Sequence, residues 1–97
     1  MRKVPTVGKE QTKKETFQIV EPGATNVLLV GDFTDWNHNP IPLKRQKDGV
    51  WKAIVALEPG SHEYRFLVDG QWRDDGQCDA RRPNPFGGEN CVRDVAA

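Results

Sequence analysis

Short stretches that alternate apolar and polar residues, each ended by a turn pair, most constrain how this chain can fold. In VWKAIVALEPG, residues 50–60, apolar side chains recur at every second position, at Trp51, Ala53, Val55 and Leu57. A period of two is typical of a β-strand that buries one face. Turn signals recur about every 8 to 12 residues over much of the chain, as in a β-sandwich, and the clearest pairs are Pro22-Gly23, Asp48-Gly49, Pro59-Gly60 and Asp69-Gly70. The pattern therefore predicts an all-β sandwich with Trp51 in its core.

The other strand signals agree with this prediction. TFQIV places Phe17 and Ile19 on one face, and VLLVG is a continuous apolar run. A short strand is predicted from Ile41 to Lys44, and NCVRDV predicts the last strand. The Asp69-Gly70 pair is the strongest hairpin signal in the chain. No segment combines a helical period with caps.

The length and charge of the chain limit its organisation and its partners. A chain of 97 residues allows one domain, and we expect a flexible lysine-rich tail over residues 1–15 and a folded domain over residues 16–97. The 14 basic and 14 acidic residues balance, whereas nucleic-acid and anionic-membrane binders need a basic surplus. We therefore expect neither of those partners. The chain shows no signal peptide and no apolar run of about 20 residues, which favours a cytoplasmic location.

The two cysteines and two histidines give little indication of a metal site. Cys78 and Cys91 are interpreted as ordinary thiols in a reducing compartment, with a disulfide as the alternative. His38 and His62 are too distant in sequence to complete a zinc site with them. We expect no metal and no cofactor.

Catalytic motifs are equally scarce. The acidic pairs, Asp32 with Asp35 and Asp74 with Asp75, have no predicted cleft in which to act as general acid and base. The sequence contains neither a nucleophile elbow nor a metalloprotease helix motif, and it has no phosphate loop. We expect a protein that is not an enzyme.

Two tryptophans stand in polar, turn-like surroundings. Trp36 follows Asp35 in the run GDFTDWNHNP, and Trp72 follows the predicted Asp69-Gly70 hairpin. Each could fold over an edge of the core. Because there are two, with arginine, asparagine and glutamine side chains nearby, a binding platform is the better interpretation. An indole face suits the C–H face of a pyranose ring, and Phe33 is expected to anchor the loop that carries Trp36.

Three motifs give the chain a specific resemblance to a known family. They are G-x-F-x-x-W at residues 31–36, E-Y-R-F-x-V-D-G-x-W at residues 63–72 and N-x-F-G-x-x-N at residues 84–90. In this order they resemble the glycogen-binding carbohydrate-binding modules, of the isoamylase N-terminal and AMP-activated protein kinase β-subunit type. The resemblance runs from about Phe17 to Val95. It implies an immunoglobulin-like antiparallel β-sandwich that binds α-1,4-linked glucans: glycogen, starch, maltooligosaccharides or cyclodextrins.

The resemblance also implies a set of carbohydrate-binding residues. Trp36 and Trp72 match the two sugar-stacking tryptophans, and Arg65 matches a basic residue, commonly lysine, that bonds sugar hydroxyls. Phe86 matches an apolar loop contact, and Asn90 matches an asparagine that bonds the sugar. Gly88 stands where some members have threonine, so a side-chain contact is lost there.

Two alternatives remain open. In the first, the resemblance implies a protein-interaction or regulatory module that docks a partner, as the same fold does in kinase β subunits. In the second, it implies an accessory domain of a branching or debranching enzyme, in which the sandwich supports a catalytic barrel.

Overall fold

The computed structural model describes residues 12–78 and 80–96 of the chain. Within these ranges the strands are Lys13–Val20 (β1), Val27–Gly31 (β2), Ile41–Pro42 (β3), Lys44–Arg45 (β4), Val50–Leu57 (β5), Gly60–Val68 (β6), Gln71–Arg73 (β7), Ala80–Pro83 (β8) and Glu89–Val95 (β9). Single turns of 3-10 helix cover Asp32–Thr34, Trp36–His38 and Lys47–Gly49. Among the described residues, no helix is long and apolar enough to cross a membrane.

The strands form two antiparallel sheets. One has the order β1-β5-β4, and the other has the order β3-β2-β6-β9-β8 with β7 also paired to β6. Both sheets contribute to one core cluster, which contains Phe17, Trp51 and Leu57 from the first sheet and Leu29, Tyr64, Phe66 and Cys91 from the second. The predicted all-β sandwich is confirmed.

Strand β5 shows the predicted alternation. Trp51 and Leu57 are buried and Ala53 and Val55 are half-buried, whereas Ile54 on the opposite face is exposed. The indole N–H of Trp51 donates to the backbone oxygen of Glu21 at 3.0 Å, so burial leaves no orphaned donor on this ring. The core assignment of Trp51 is confirmed.

The single strand predicted from Ile41 to Lys44 is divided between the two sheets. Ile41–Pro42 pairs with β2, and Lys44–Arg45 pairs with β5. Leu43 lies between them with its side chain buried, and its N–H donates to the backbone oxygen of Val27 at 2.9 Å. The chain therefore crosses from one sheet to the other at Leu43.

The predicted hairpin at Asp69-Gly70 joins β6 to β7. Val68 pairs with Gln71, so the loop has two residues, and both have positive φ, 48° for Asp69 and 83° for Gly70. Positive φ at both positions is the geometry of a type I′ turn. The Asp69 carboxylate also accepts hydrogen bonds from the backbone N–H of Thr25 and of Asn26, which fixes the turn against the start of β2.

The N-terminal boundary differs from the prediction. Strand β1 begins at Lys13 and pairs with β5 along its whole length, from Lys13 with Leu57 to Val20 with Val50. The last residues of the predicted tail, 13–15, therefore belong to the sheet, because the pairing continues past the apolar residues that signalled the strand. The rest of the predicted tail, residues 1–11, lies outside the described residues.

The expectation of two separate thiols is wrong for this structure. Cys78 and Cys91 form a disulfide with a Cα–Cα distance of 5.9 Å. The pairing links β9 to the segment after β7, two regions that no signal in the sequence placed together. Disulfides are typical of oxidising compartments, so this pairing and the predicted cytoplasmic location favour different redox environments.

Tyr64 and Asp75 form a buried hydrogen bond beside this disulfide. The Tyr64 hydroxyl donates to Asp75 Oδ2 at 2.7 Å, and Asp75 Oδ1 accepts the Gln77 N–H at 2.9 Å. Burial, and after it the bond to Asp75, raises the pKa of Tyr64 well above its ordinary value of 10.0. The pair thus ties the segment that follows β7 to the core.

We expect this bond to make stability fall at alkaline pH. The folded-state pKa of Tyr64 exceeds the unfolded-state value, so its contribution is complete below about pH 10 and is lost as the pH rises further. Denaturant midpoints measured from neutral to alkaline pH should fall in the parent. They should fall less in Tyr64→Phe, which keeps every other titratable group of the chain. Tyr64 is the only tyrosine, so tyrosinate absorbance that appears near pH 10 while the chain is still folded would contradict this.

We also expect the disulfide to stabilise the fold. Closing a loop of 13 residues contributes about 3 kcal/mol, so a reductant should lower the melting temperature of the parent. The double variant Cys78→Ala/Cys91→Ala serves as the control, because its melting temperature should not respond to the reductant. Titration of two free thiols in the unfolded, unreduced parent would show that the bond is absent.

Candidate functional site

The structure brings all six predicted site residues to one open cavity of about 530 Å³. Its lining residues come from three separate parts of the chain and are Trp36, Asn37, Arg65, Trp72, Asn84, Pro85, Phe86, Gly88 and Asn90. Asn37, Asn84 and Pro85 were not predicted. Asn37 follows Trp36 directly, and the other two lie within NPFGGEN, so proximity to the predicted residues was the signal that could have found them.

Strand β6 places Arg65 at the centre of the site. On one edge of β6, residues 60–64 pair with β9 and residues 66–68 pair with β7. Arg65 therefore lies where the two partner strands separate. Its neighbours Tyr64 and Phe66 are fully buried in the core. Because successive side chains of a strand point to opposite faces, Arg65 points out of the sandwich.

Two neighbours hold the Arg65 guanidinium. Its Nε donates to Asp74 Oδ1 at 3.0 Å, and its Cζ lies 5.4 Å from the centroid of the Trp72 ring. Asp74 Oδ2 in turn accepts from Arg81 at 3.3 Å. Among the described residues, no hydrogen bond uses the two terminal nitrogens of Arg65, which leaves their N–H groups for a ligand.

Trp72 is fixed by the β6–β7 hairpin. It is the direct cross-strand partner of Leu67, and direct partners share a face of the sheet. Leu67 and Arg65 are two residues apart on β6, so all three lie on the outer face. The indole is 43% exposed. The sheet therefore presents a large apolar surface to solvent beside a fixed cation.

Trp36 is held by a tightly bonded turn. Both Asp35 and Trp36 have a φ of 54°, a left-handed conformation that is uncommon for a bulky residue and is found at functional positions. The Thr34 side-chain oxygen accepts the N–H of Gly31 at 2.9 Å and lies 2.8 Å from the backbone oxygen of Trp36. Asn39 N–H donates to the Thr34 backbone oxygen at 3.0 Å. Buried Thr34 thus holds both sides of the turn.

Phe33 anchors the same turn to the core, as predicted. Its ring stacks on Phe17 at 5.8 Å and meets His62 edge-on at 5.9 Å between centroids. Of the two aromatic residues in this polar run, Phe33 therefore packs inward and Trp36 lines the cavity.

The loop of residues 84–88 forms another side of the cavity. Asn84 Oδ1 accepts the N–H of Phe86 at 2.9 Å and that of Gly88 at 3.1 Å. Phe86 is 92% exposed. A phenyl ring this exposed on a turn with so many internal hydrogen bonds is typical of a ligand contact rather than of a core residue.

Asn90 lies deeper in the site and is 6% exposed. Its Nδ2 donates to Glu63 Oε1 at 3.1 Å, and its Oδ1 accepts from Asn84 Nδ2 at 3.2 Å. An asparagine amide has two N–H donors and two acceptor lone pairs. Asn90 therefore has capacity for a sugar hydroxyl while these two contacts keep its orientation.

Each charged side chain in or beside the cavity has a partner of opposite sign. Asp74 pairs with Arg65 and Arg81, and Glu63 pairs with Arg82 at 3.5 Å. Carboxylates engaged in this way act as acceptors for arginine rather than as a general acid and base. The arrangement suits hydrogen bonding to a neutral polar ligand.

An all-β sandwich that presents two indoles and a phenyl ring beside fixed hydrogen-bonding groups belongs to the class of small ligand-binding modules. The family model described as the glycogen recognition site of AMP-activated protein kinase matches residues 15–96. The chain belongs to that family, as the sequence motifs indicated.

Several curated proteins contain a similar segment. The chain is 41% identical over 61 residues to protein PTST homolog 2, chloroplastic, of Arabidopsis thaliana. The matched segment covers 62% of this chain and 11% of that protein. The chain is also 46% identical over 55 residues to the 1,4-alpha-glucan branching enzyme GlgB of Deinococcus radiodurans. Here the matched segment covers 56% of this chain and 8% of the enzyme. For 5'-AMP-activated protein kinase subunit beta-1 of Sus scrofa, the identity is 43% over 53 residues, covering 55% of this chain and 41% of that protein. The matched segment is thus less than half of each of these relatives.

Proposed function

We propose that this chain is a non-catalytic module that binds α-1,4-linked glucan of the glycogen or starch type. One observation carries the proposal: residues from three motifs, distant in sequence, line a single aromatic cavity in a member of the glycogen-recognition family. The name of the branching-enzyme relative, which includes 1,4-alpha-glucan, supports the same ligand class.

The indoles of Trp36 and Trp72 provide the apolar contacts in this proposal. A glucose ring has an apolar C–H face and a rim of hydroxyls. The two indoles cover the C–H faces of glucose units, whereas the Arg65 guanidinium and the Asn90 amide bond the hydroxyls. An α-1,4-linked chain curves and can follow the cavity past both indoles to Phe86. A β-1,4-linked chain is straight and cannot.

The magnitudes favour modest affinity. An indole that covers about 100 Å² of apolar surface contributes roughly 2.5 kcal/mol, and each neutral hydrogen bond adds about 1 kcal/mol. Lost translational and rotational freedom offsets several kcal/mol of this sum. A dissociation constant between about 1 μM and 1 mM follows. Glycogen offers many overlapping sites, so avidity can make such binding effective.

A tethering role is a second proposal, and the relatives support it. Segments similar to this chain form a small part of a branching enzyme and of a kinase β-1 subunit. Such a module would hold a partner protein, or further domains, on glucan. A pull-down on amylose resin tests this role: a partner retained only together with the glucan-binding chain supports it, and a partner bound by a chain without glucan affinity supports a purely protein-binding module.

We expect the chain to bind maltoheptaose and β-cyclodextrin and not cellohexaose. Titrations followed by NMR should shift the signals of residues around the cavity with the two α-linked ligands only. Equal shifts with cellohexaose, or none with maltoheptaose, would contradict the proposed ligand class.

We expect the tryptophans to separate into two groups. Trp36→Ala and Trp72→Ala should each weaken maltoheptaose binding at least about tenfold, since losing about 1.4 kcal/mol of stacking does so. Both variants should melt within a few degrees of the parent, because neither ring belongs to the core cluster. Calorimetric titrations and melting curves measure the two effects.

Trp51→Ala is the matched control, because it removes the same side chain from the core. It should cost about 3–5 kcal/mol of stability. If both cavity variants bind maltoheptaose as the parent does while remaining folded, the indoles are not the binding surface.

A further inference from the structure

We propose that Asn84 is a positioning residue of the glucan site. Its side-chain oxygen holds the loop of residues 84–88 in the one shape that presents Phe86 to the ligand. This inference rests on the proposed function and concerns a residue of the N-x-F-G-x-x-N motif to which the family resemblance assigned no part in binding.

The contacts of Asn84 organise the whole loop. Besides accepting from Phe86 and Gly88 through Oδ1, Asn84 donates its own N–H to the Gly88 backbone oxygen at 2.9 Å. Its backbone oxygen accepts the Gly87 N–H at 3.4 Å. The loop is therefore closed by the backbone and side chain of one residue. An asparagine side chain that bonds the backbone N–H two residues ahead forms an Asx turn.

Among the described residues, the only hydrogen bond of Phe86 is the one that its N–H donates to Asn84. Its ring is 92% exposed and lies outside the core cluster and its packed neighbours, so packing does not fix its position. The two residues after it are glycines, and Gly87 has a φ of 89°. Glycine lets a chain sample many conformations. Hydrogen bonds to the Phe86 and Gly88 amides restrict this freedom before the ligand arrives.

Restricting the loop in advance improves affinity. A ligand that has to order a side chain and its loop loses part of its binding free energy, and a preorganised site avoids this loss. Asn84 Nδ2 also donates to Asn90 Oδ1 at 3.2 Å. Glu63 holds Asn90 independently, so the orientation of Asn90 does not depend on Asn84 alone. The role of Asn84 is therefore exerted through Phe86.

The test is a double-mutant cycle with maltoheptaose, measured by calorimetric titration. Asn84→Ala should weaken binding by about 3-fold to 10-fold, the cost of ordering a loop side chain. In the Phe86→Ala background the same substitution should change affinity by less than about twofold, because the residue it positions is gone. In the Trp36→Ala background its full effect should persist, since that ring is held by a different turn.

Three further measurements exclude a general structural effect. Asn84→Asp keeps a side-chain oxygen that accepts from the loop amides but loses the Nδ2 donor to Asn90, so it should bind maltoheptaose more tightly than Asn84→Ala and less tightly than the parent. The Phe86 and Gly88 amides should exchange hydrogen faster in Asn84→Ala than in the parent without any ligand, while the melting temperature stays within a few degrees. Asn26→Ala is the matched control: Asn26 is exposed, is not among the residues that line the cavity, and should have no effect on binding.

The outcomes separate the two proposals. A parent that fails to bind maltoheptaose overturns the proposed function, and this inference with it. A parent that binds, with Asn84→Ala binding equally well, overturns only the role of Asn84. The same conclusion follows if Asn84→Asp is as weak as Asn84→Ala, or if the loss persists undiminished without Phe86.

Discussion

The rest of the structure depends on strand β6, which has to fill the core with one face and to pair its backbone along both edges. Its inward face must fill the core, which Tyr64, Phe66 and Val68 do. Its backbone must be paired on both edges, with β2 on one edge and with β9 and β7 in turn on the other. Because one edge changes partner midway, the outward Arg65 lies at a gap between strands. The same pairing that closes the sandwich therefore creates the depression in which the binding groups gather.

The sequence predicted the strands and site residues that periodicity and motifs reveal, but not the features that depend on contacts between residues distant in the chain. Alternation located β1 and β5, a continuous apolar run located β2, and the motifs identified six of the nine residues that line the cavity. Strand β8, which contains Arg81 and Arg82, was missed because a short polar edge strand shows no alternation. The Cys78–Cys91 bond was missed because two cysteines alone do not specify that their strand and loop meet. The contacts of Asn84 were missed because an asparagine beside proline signals a turn, not which amides it holds.

The electrostatics of the site fit a neutral ligand. Each arginine at the rim already has a carboxylate partner: Asp74 serves Arg65 and Arg81, and Glu63 serves Arg82. A phosphorylated or carboxylated ligand would be repelled by these carboxylates, because each of them lies beside a guanidinium group that the ligand would approach. A hydroxyl needs only an N–H group that is not already used, which the terminal nitrogens of Arg65 provide. The paired carboxylates thus favour the proposed neutral sugar over an anion.

The three aromatic rings of the site are held with decreasing firmness. Trp72 is fixed by strand pairing and by Arg65, Trp36 by a turn that Phe33 and Thr34 secure to the core, and Phe86 only by hydrogen bonds within its own loop. Residues on strands are positioned more accurately than those on loops. None of residues 84–88 belongs to the core cluster, and a side chain at Gly88 would meet nothing closer than 3.5 Å. Changes in this loop can therefore alter the proposed glucan site while the sandwich and the two indoles stay in place.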